Sequence, residues 1–268
     1  MPQYSCRLDR QELRDDQAPF HTYIFSRAYR FTMPGISTCC LMAEPLAAAL
    51  DRLAPLTDLI EVMDEGPHLI TGTGLFESYT QKFILHAPFH GVNIASLFEP
   101  IRRASVQVTA DCFCVAGAIG AGVVVHPGYY AWEQEKKAAD RQFRKSHREL
   151  KSAAREHSVT FWFENMGNMN FFNLRTPAGL SLVRGTGLAL DTGHAYLNGC
   201  LEEFLKTPFC HMHIHDNKGK SDTHSAIGEG TIDFTPVFRA LERTGATSVL
   251  EMKDFPAVVR SLTVLKAY

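Results

Sequence analysis

Short apolar runs alternate with longer amphipathic segments along the chain from Met33 to its end. The apolar runs are rich in β-branched and aromatic residues, which is typical of strands buried on both faces of a parallel sheet. About eight segments fit this pattern and are interpreted as strands: GISTCCL, LIEVMDEG, FILHAPF, GVVVHPG, VTFWFENM, GLALDTGHA, FCHMHIHDN and SVLEMKD.

Most of the segments between these strands repeat their apolar positions with the period of an α-helix. Examples are EPLAAALDRLA, FEPIRRASVQVTADCFCVAGAIG, YYAWEQEKKAADRQFRKSHRELKSAAREH and FPAVVRSLTVLKAY. DFTPVFRALERTG also predicts a helix, with Asp or Thr as its N-cap and Gly at its end. This alternation predicts an α/β protein: a single (β/α)8 TIM barrel, rather than an open sheet, with its active site at the C-terminal mouth of the strands. No glycine-rich phosphate loop follows the first strand, which argues against dinucleotide binding.

The first 32 residues follow a different pattern from the rest of the chain. RLDRQELRDDQ is charged, and PFHTYIFSRAYRFT is aromatic without a regular period. Residues 1–32 are therefore predicted to be an N-terminal extension outside the core, and residues 33–268 to form the barrel. The hydrophobic fraction of 45% over 268 residues is enough for one large core.

Charge and cysteine content limit the classes of function. The formal net charge is -2, whereas a protein dedicated to nucleic acids usually needs a basic face. The seven cysteines are odd in number and form no CxxC pair, which predicts reduced thiols rather than a disulfide framework. The sequence shows no signal peptide and no apolar run long enough to cross a bilayer. A cytoplasmic protein without a membrane partner is therefore predicted.

Histidines and carboxylates recur where the predicted strands end. A single histidine at such a position is more often a packed, hydrogen-bonded residue than a ligand. Here, however, six strands bring such residues to the same end of the barrel: His86, His126, Glu164, Asp191, His194, His213, His215 and Glu251. Converging groups of this kind stay unsatisfied or repel one another unless a cation or hydrogen bonds compensate them. The pattern predicts a bound divalent metal.

The stretch HMHIHDNKGKSDTHSAIGEG adds a second candidate site in the loop that follows the seventh strand. Asp222 and His224 are two residues apart and can chelate one ion from an extended segment, or they belong to an ordinary polar loop. His213 is the expected ligand of the central metal. His211 is expected to lie deeper in the barrel as a structural residue, and His215 nearer the mouth as a contact to substrate or to a ligand.

These motifs resemble the xylose isomerase-like TIM-barrel superfamily, which includes sugar isomerases and epimerases and also endonuclease IV. The resemblance rests on LHAPFHGVNIAS, VVVHPG, FENM, LALDTGHA, HIHDNKGKSDTHSAIGEGTIDF and LEMK, in the order of the family, from about residue 35 onward. In the isomerases and epimerases the resemblance implies one metal held by the positions of Glu164, Asp191, His213 and Glu251. In endonuclease IV it implies three zinc ions and five further ligands, at His86, His126, His194, Asp222 and His224.

The resemblance implies, first, a metal-dependent isomerase or epimerase of a small sugar or sugar phosphate. Glu164 and Glu251 would be the catalytic pair that takes and returns a proton beside a metal-polarised carbonyl. His194, His215 and Lys218 are expected to contact the substrate. Epimerases of the family that act on keto-sugars have an arginine in the loop after His213, where this chain has KGKSD. Either Lys218 or Lys220 replaces it, or that substrate class is excluded.

The alternative is an endonuclease IV-like zinc phosphodiesterase acting at abasic sites in DNA. The complete set of nine ligand positions favours it, and the charge balance does not. A non-enzymatic or dehydratase-like relative on the same barrel is a third alternative, because one fold carries many reactions. The expected cofactor is one to three ions of zinc, manganese, magnesium or cobalt, and the sequence leaves open whether the chain forms a homo-oligomer.

Overall fold

A computed structural model of the chain describes residues 32–169 and 171–267. Its centre is a closed barrel of eight parallel strands in sequence order, in which β8 pairs with β1. The strands are β1 Gly35–Ser37, β2 Leu59–Met63, β3 Lys82–His86, β4 Gly122–Val125, β5 Phe161–Glu164, β6 Gly187–Asp191, β7 His211–Ile214 and β8 Thr247–Leu250. This confirms the predicted single (β/α)8 TIM barrel. The predicted N-terminal extension falls almost entirely on residues outside those described, so the division of the chain at residue 33 stays a prediction.

Helices surround the barrel and cover the outer faces of its strands. They are α1 Leu46–Leu53, α2 Glu99–Ile119, α3 Lys136–Glu156, α4 Thr192–Leu197, α5 Leu201–Leu205, α6 Thr235–Thr244 and α7 Phe255–Lys266. Across residues 32–169 and 171–267, we find no helix whose length and hydropathy would let it cross a membrane.

Three local predictions differ from the structure. In GISTCCL the strand ends at Ser37, whose hydroxyl accepts a hydrogen bond from Cys39 N and starts a 3-10 helix over Thr38–Leu41. In LALDTGHA the strand ends at Asp191, which caps the helix α4, so TGHA is helical rather than part of the strand. The N-cap of α6 is Phe234 rather than Asp or Thr. The glycine expected at the end of α6 is present, since Gly245 adopts a left-handed conformation at its C-cap.

The barrel interior is apolar towards the N-terminal ends of the strands. Ile84, Val124 and Ala189 pack together there with Leu59 and Trp162. The neighbouring positions on β4 and β6 are glycines, and a Cβ atom on either would lie within 2.4 Å of the Trp162 ring. The large ring of Trp162 thus fills this part of the barrel interior.

A buried arginine joins α2 to α3 outside the barrel. The side chain of Arg102 is 1% exposed, and its guanidinium donates to both carboxylate oxygens of Glu99, to both of Glu149 and to Ser146 Oγ. These five bonds use all five guanidinium donors. We call this group, formed by Arg102, Glu99, Glu149 and Ser146, the α2–α3 clamp.

Candidate metal centre

Four buried side chains meet at the centre of the C-terminal mouth, and we call them the central group: Glu164, Asp191, His213 and Glu251. Each offers one ligand atom, and these atoms all lie within 4.8 Å of one another. His213 Nδ1 is 3.0 Å from Glu251 Oε2, 3.4 Å from Glu164 Oε1 and 3.8 Å from Asp191 Oδ2. One nitrogen and three carboxylate oxygens at this separation can surround a single divalent cation.

The strand register and local hydrogen bonds place these groups. Asp191 and His213 are direct partners in the pairing of β6 with β7. The Asn165 side chain binds both the N–H and the carbonyl of Asp191. Asp191 Oδ1 accepts the N–H of His194 at 2.6 Å because it caps α4. The carboxylate is therefore held in one orientation by the backbone that follows it.

A second group lies beside the first and shares one of its residues. His86 Nε2 and His126 Nε2 are 3.2 and 3.0 Å from Glu164 Oε2. Glu164 thus directs one oxygen at the central group and the other at this flanking pair of histidines. The Phe89 ring lies over the pair, with its centroid 4.6 Å from that of His126.

A third group combines α4 with the segment that follows β7. It consists of His194, His215, Asp222 and His224. Asp222 Oδ2 lies 2.9 Å from His194 Nε2 and 3.3 Å from His224 Nε2. Burial opposes ionisation in this group, but the hydrogen bond and charge of Asp222 raise the pKa of His224 to about 9. The carboxylate and the two imidazoles thus stabilise one another in their charged forms.

Asp216 fixes the loop that carries Asp222 and His224. Its carboxylate accepts the backbone N–H groups of Asn217, Gly228, Gly230 and Ile232. A Cβ atom at Gly230 would lie 2.1 Å from Asp216 Oδ1, so the second glycine of GEG is required for this close approach. The loop is held in place by these bonds from the end of β7.

Burial and charge act against each other in the central group. Burial by itself raises the pKa of Glu164, but the charges of His213 and His126 hold this pKa well below its ordinary value. Burial lowers the pKa of His213, but the surrounding carboxylates raise it well above its ordinary value. In His126 burial prevails over the charge of Glu164 and lowers the pKa, which favours the neutral imidazole that a metal needs.

The donor set fits a divalent cation. His213 Nδ1 and Glu251 Oε2 are buried and make no hydrogen bond to any residue in 32–169 or 171–267, although they lie close together. Buried polar atoms without partners cost free energy, and a cation between them would remove that cost. Oxygen and imidazole ligands suit zinc, manganese, cobalt or magnesium.

The structure brings together the nine positions predicted as ligands, and the expected substrate contacts stay a prediction. His194 and His215 belong to the third group, where His215 is fully buried and its Nε2 lies 3.1 Å from Asp191 Oδ1. Lys218 is exposed and lies outside the groups just described. His211 lies below the mouth, where its ring stacks on Trp162.

Sequence reasoning missed Glu61. This residue is fully buried in the middle of β2, and its Oε2 lies 3.0 Å from His211 Nε2 and 3.2 Å from His213 Nε2. Burial raises the pKa of Glu61, but the charges and hydrogen bonds of the two histidines more than offset it and hold the pKa below its ordinary value. A charged residue inside the apolar run LIEVM was the available signal.

Comparisons with known proteins agree with this fold. A family model described as xylose isomerase-like TIM barrel matches residues 72–268. The protein MJ1614 of Methanocaldococcus jannaschii is 31% identical over 231 residues, which cover 82% of this chain and 92% of that protein. Probable endonuclease 4 of Mycobacterium leprae is 27% identical over 234 residues, covering 79% and 90%. The crystal structure of a D-tagatose 3-epimerase-like protein aligns with a TM-score of 0.80 at 28% identity, covering 87% of this chain and 96% of the other.

Proposed function

Because the chain belongs to the xylose isomerase-like TIM-barrel family, we propose that it is a divalent-metal-dependent isomerase or epimerase of a small sugar or sugar phosphate. The observation that carries the proposal is the central group. Two buried carboxylates, Glu164 from β5 and Glu251 after β8, approach one point from different sides of the barrel. The similarity to a D-tagatose 3-epimerase-like protein supports the same substrate class.

Glu164, Asp191, His213 and Glu251 would hold the metal. When bound, a divalent cation supplies polarisation of a substrate carbonyl and of the hydroxyl beside it, which acidifies the neighbouring C–H. One glutamate takes that proton and the other returns a proton to the opposite face of the same carbon, or to the adjacent carbon. Glu164 and Glu251 fit this task because both carboxylates are buried, so the surrounding side chains rather than water determine their positions.

The substrate contacts are part of the proposal. His194 borders the central group and the third group, so its ring is close to any ligand held there. His215 would act through Asp191, which it contacts directly. Lys218 would bind a phosphate or hydroxyl of the substrate from the exposed side of the loop.

The test is deuterium exchange with a panel of ketoses, aldoses and their phosphates in ²H₂O. The protein is loaded separately with zinc, manganese, magnesium or cobalt. We expect turnover of at least one sugar with solvent deuterium at the carbon next to the carbonyl. Glu251→Gln should slow the exchange by about 10²–10⁴-fold. Glu202→Gln, which changes an exposed carboxylate on α5, should leave the exchange unchanged. An absence of exchange in every metal-loaded sample would overturn the proposal.

The flanking pair of histidines and the third group favour a second candidate function, phosphodiester hydrolysis at abasic sites in DNA. Glu164 belongs both to the central group and to the group with His86 and His126. Together with the third group, these make three neighbouring clusters that could each hold a metal ion. The similarity to probable endonuclease 4 agrees with this candidate. Clustered metals can activate water and stabilise both the attacking and the leaving oxygen.

Metal content and incision separate the two candidates. About three zinc ions per chain by elemental analysis, with incision of a duplex that contains an abasic site, would establish the hydrolytic candidate. One ion per chain with sugar turnover would establish the first. A fully loaded protein that leaves the abasic duplex intact would exclude hydrolysis at such sites.

A further inference from the structure

A buried carboxylate lies beneath the central group and is not one of its four residues. Glu61 Oε2 is within 3.2 Å of the Nε2 atoms of both His211 and His213. Its second oxygen, Oε1, is buried without a hydrogen bond to the residues that the structure describes. An apolar residue would avoid the cost of that unsatisfied oxygen, so filling space does not account for a glutamate at this position.

The position of Glu61 determines which nitrogen of His213 faces the mouth. An imidazole nitrogen must carry a proton to donate a hydrogen bond to a carboxylate. The contact with Glu61 therefore places a proton on Nε2 of His213. In the neutral ring this leaves the lone pair on Nδ1, the atom that points at Glu164 and Glu251.

The side chains below Glu61 hold it in place. His211 Nε2 contacts the same carboxylate oxygen, and His211 Nδ1 lies 2.8 Å from Thr247 Oγ1. The His211 ring stacks on Trp162 with an interplanar angle of 18°. A chain of contacts thus runs from Thr247 on β8 through His211 to Glu61 and His213.

We propose that Glu61 is a positioning residue that keeps the proton of His213 on Nε2 and so presents Nδ1 to the metal. The proposal rests on the metal centre of the proposed function. A carboxylate or carbonyl behind a metal-binding histidine commonly fixes its orientation, and its loss lowers metal affinity by about 10–100-fold. Glu61 acts through His213 and is not expected to touch substrate.

The first measurement is zinc affinity by competition with a chromophoric chelator. We expect Glu61→Leu to weaken binding by about 10–100-fold. Glu61→Gln should lose less, because its amide oxygen still accepts the Nε2 proton. The matched control is His147→Gln, which changes another buried histidine, one that is hydrogen-bonded to Thr186 away from the mouth. A folded Glu61→Leu protein that binds zinc as tightly as the unaltered chain would overturn the proposal.

The second measurement needs no metal. The chain is labelled with ¹⁵N-histidine, and a ¹H–¹⁵N spectrum of the metal-free protein shows which ring nitrogens carry protons. We expect a slowly exchanging proton on Nε2 of His213, absent or rapidly exchanging in Glu61→Leu. An unprotonated Nε2 in the unaltered chain would contradict the role of Glu61. If Glu61→Leu does not fold, Glu61→Gln replaces it, and an unchanged chemical shift of the Nε2 proton would count against the proposal. A chain that binds no metal would refute the proposed function, while this spectrum would still decide the role of Glu61.

Discussion

The mouth of the barrel and the α2–α3 clamp both bury charged side chains, but they satisfy them differently. In the clamp, Arg102 is 1% exposed and uses all of its donors on Glu99, Glu149 and Ser146. In the mouth, His213 Nδ1 and Glu251 Oε2 make no hydrogen bond to the residues that the structure describes. The clamp is complete within the protein, whereas the mouth is arranged for something that the protein chain does not supply.

The difference separates a structural cluster from a functional one without reference to any relative. A complete cluster holds two helices together, and removing one of its members should affect folding. An incomplete cluster costs free energy in the folded chain, which makes it a candidate ligand site. Changes in the clamp should therefore lower the stability of the fold, whereas changes in the mouth should affect metal binding and turnover.

The largest expected effect is on catalysis in the mouth. Glu251→Gln removes the charge of a proposed proton-transfer group but keeps its shape. We expect turnover to fall by about 10²–10⁴-fold, while the thermal midpoint of unfolding of the metal-free protein changes little. Steady-state kinetics on the metal-loaded protein and calorimetry on the metal-free protein measure the two effects. Full turnover in this variant would show that the two-carboxylate mechanism is wrong.

Metal removal should destabilise the protein by taking away the ligand of the mouth, and it should leave the contribution of the clamp unchanged. A ligand that binds only the folded state at 100 times its dissociation constant adds about 2.7 kcal/mol to the free energy of unfolding. We expect chelation to lower the midpoint of thermal unfolding and excess metal to restore it. Arg102→Met should show the same metal-dependent difference, because the clamp contributes no ligand. An unfolding midpoint that ignores chelator and metal would argue against a metal centre.

Arg102→Met should destabilise the fold and leave the metal centre intact. Glu99 and Glu149 are about 40% exposed, so water can solvate them once the guanidinium is gone. We therefore expect a loss of about 1–3 kcal/mol, below the cost of leaving a fully buried charge unpaired. Urea unfolding gives the stability and elemental analysis the metal content. A fall in metal per folded chain would break the distinction between the two regions.

His147 provides the smallest and most specific test. Burial, together with the positive charges of Lys151 and Arg148, lowers the pKa of His147 from 6.5 to about 4 in the folded chain. The unfolded chain takes up this proton near pH 6.5, so it binds more protons than the folded chain between pH 6.5 and 4. Stability is therefore lost as the pH falls through that window.

Replacing His147 removes this contribution. Both proteins should become less stable when the pH is lowered from 7 to 4.5. We expect the decrease in the free energy of unfolding to be about 1–2 kcal/mol smaller in His147→Gln than in the unaltered chain. Urea unfolding at the two pH values gives the difference. An identical loss in both proteins would place the acid sensitivity elsewhere, for example among the histidines of the mouth.

The positions at the mouth were readable from the sequence because six of the strands carry polar residues at or just beyond their ends. His86, Glu164 and Asp191 each close an apolar run, and parallel strands in a barrel present these ends at one face. Glu61 escaped the same reasoning because it lies in the middle of its strand. Its partners are 150 and 152 residues away, and no local spacing reports such a contact.

The sequence by itself determined the alternation of strands and helices, and with it the closed barrel and the end at which the ionisable residues collect. Hydrophobic period and strand-end chemistry are local properties, so they can be read along the chain. Only the tertiary structure decided that Glu164 directs its two oxygens at two groups, that Lys218 remains exposed, and that Glu61 lies behind His213. These facts depend on contacts between distant parts of the chain: the closure of β8 onto β1, for example, brings β2 near β7 and so places Glu61 behind His213.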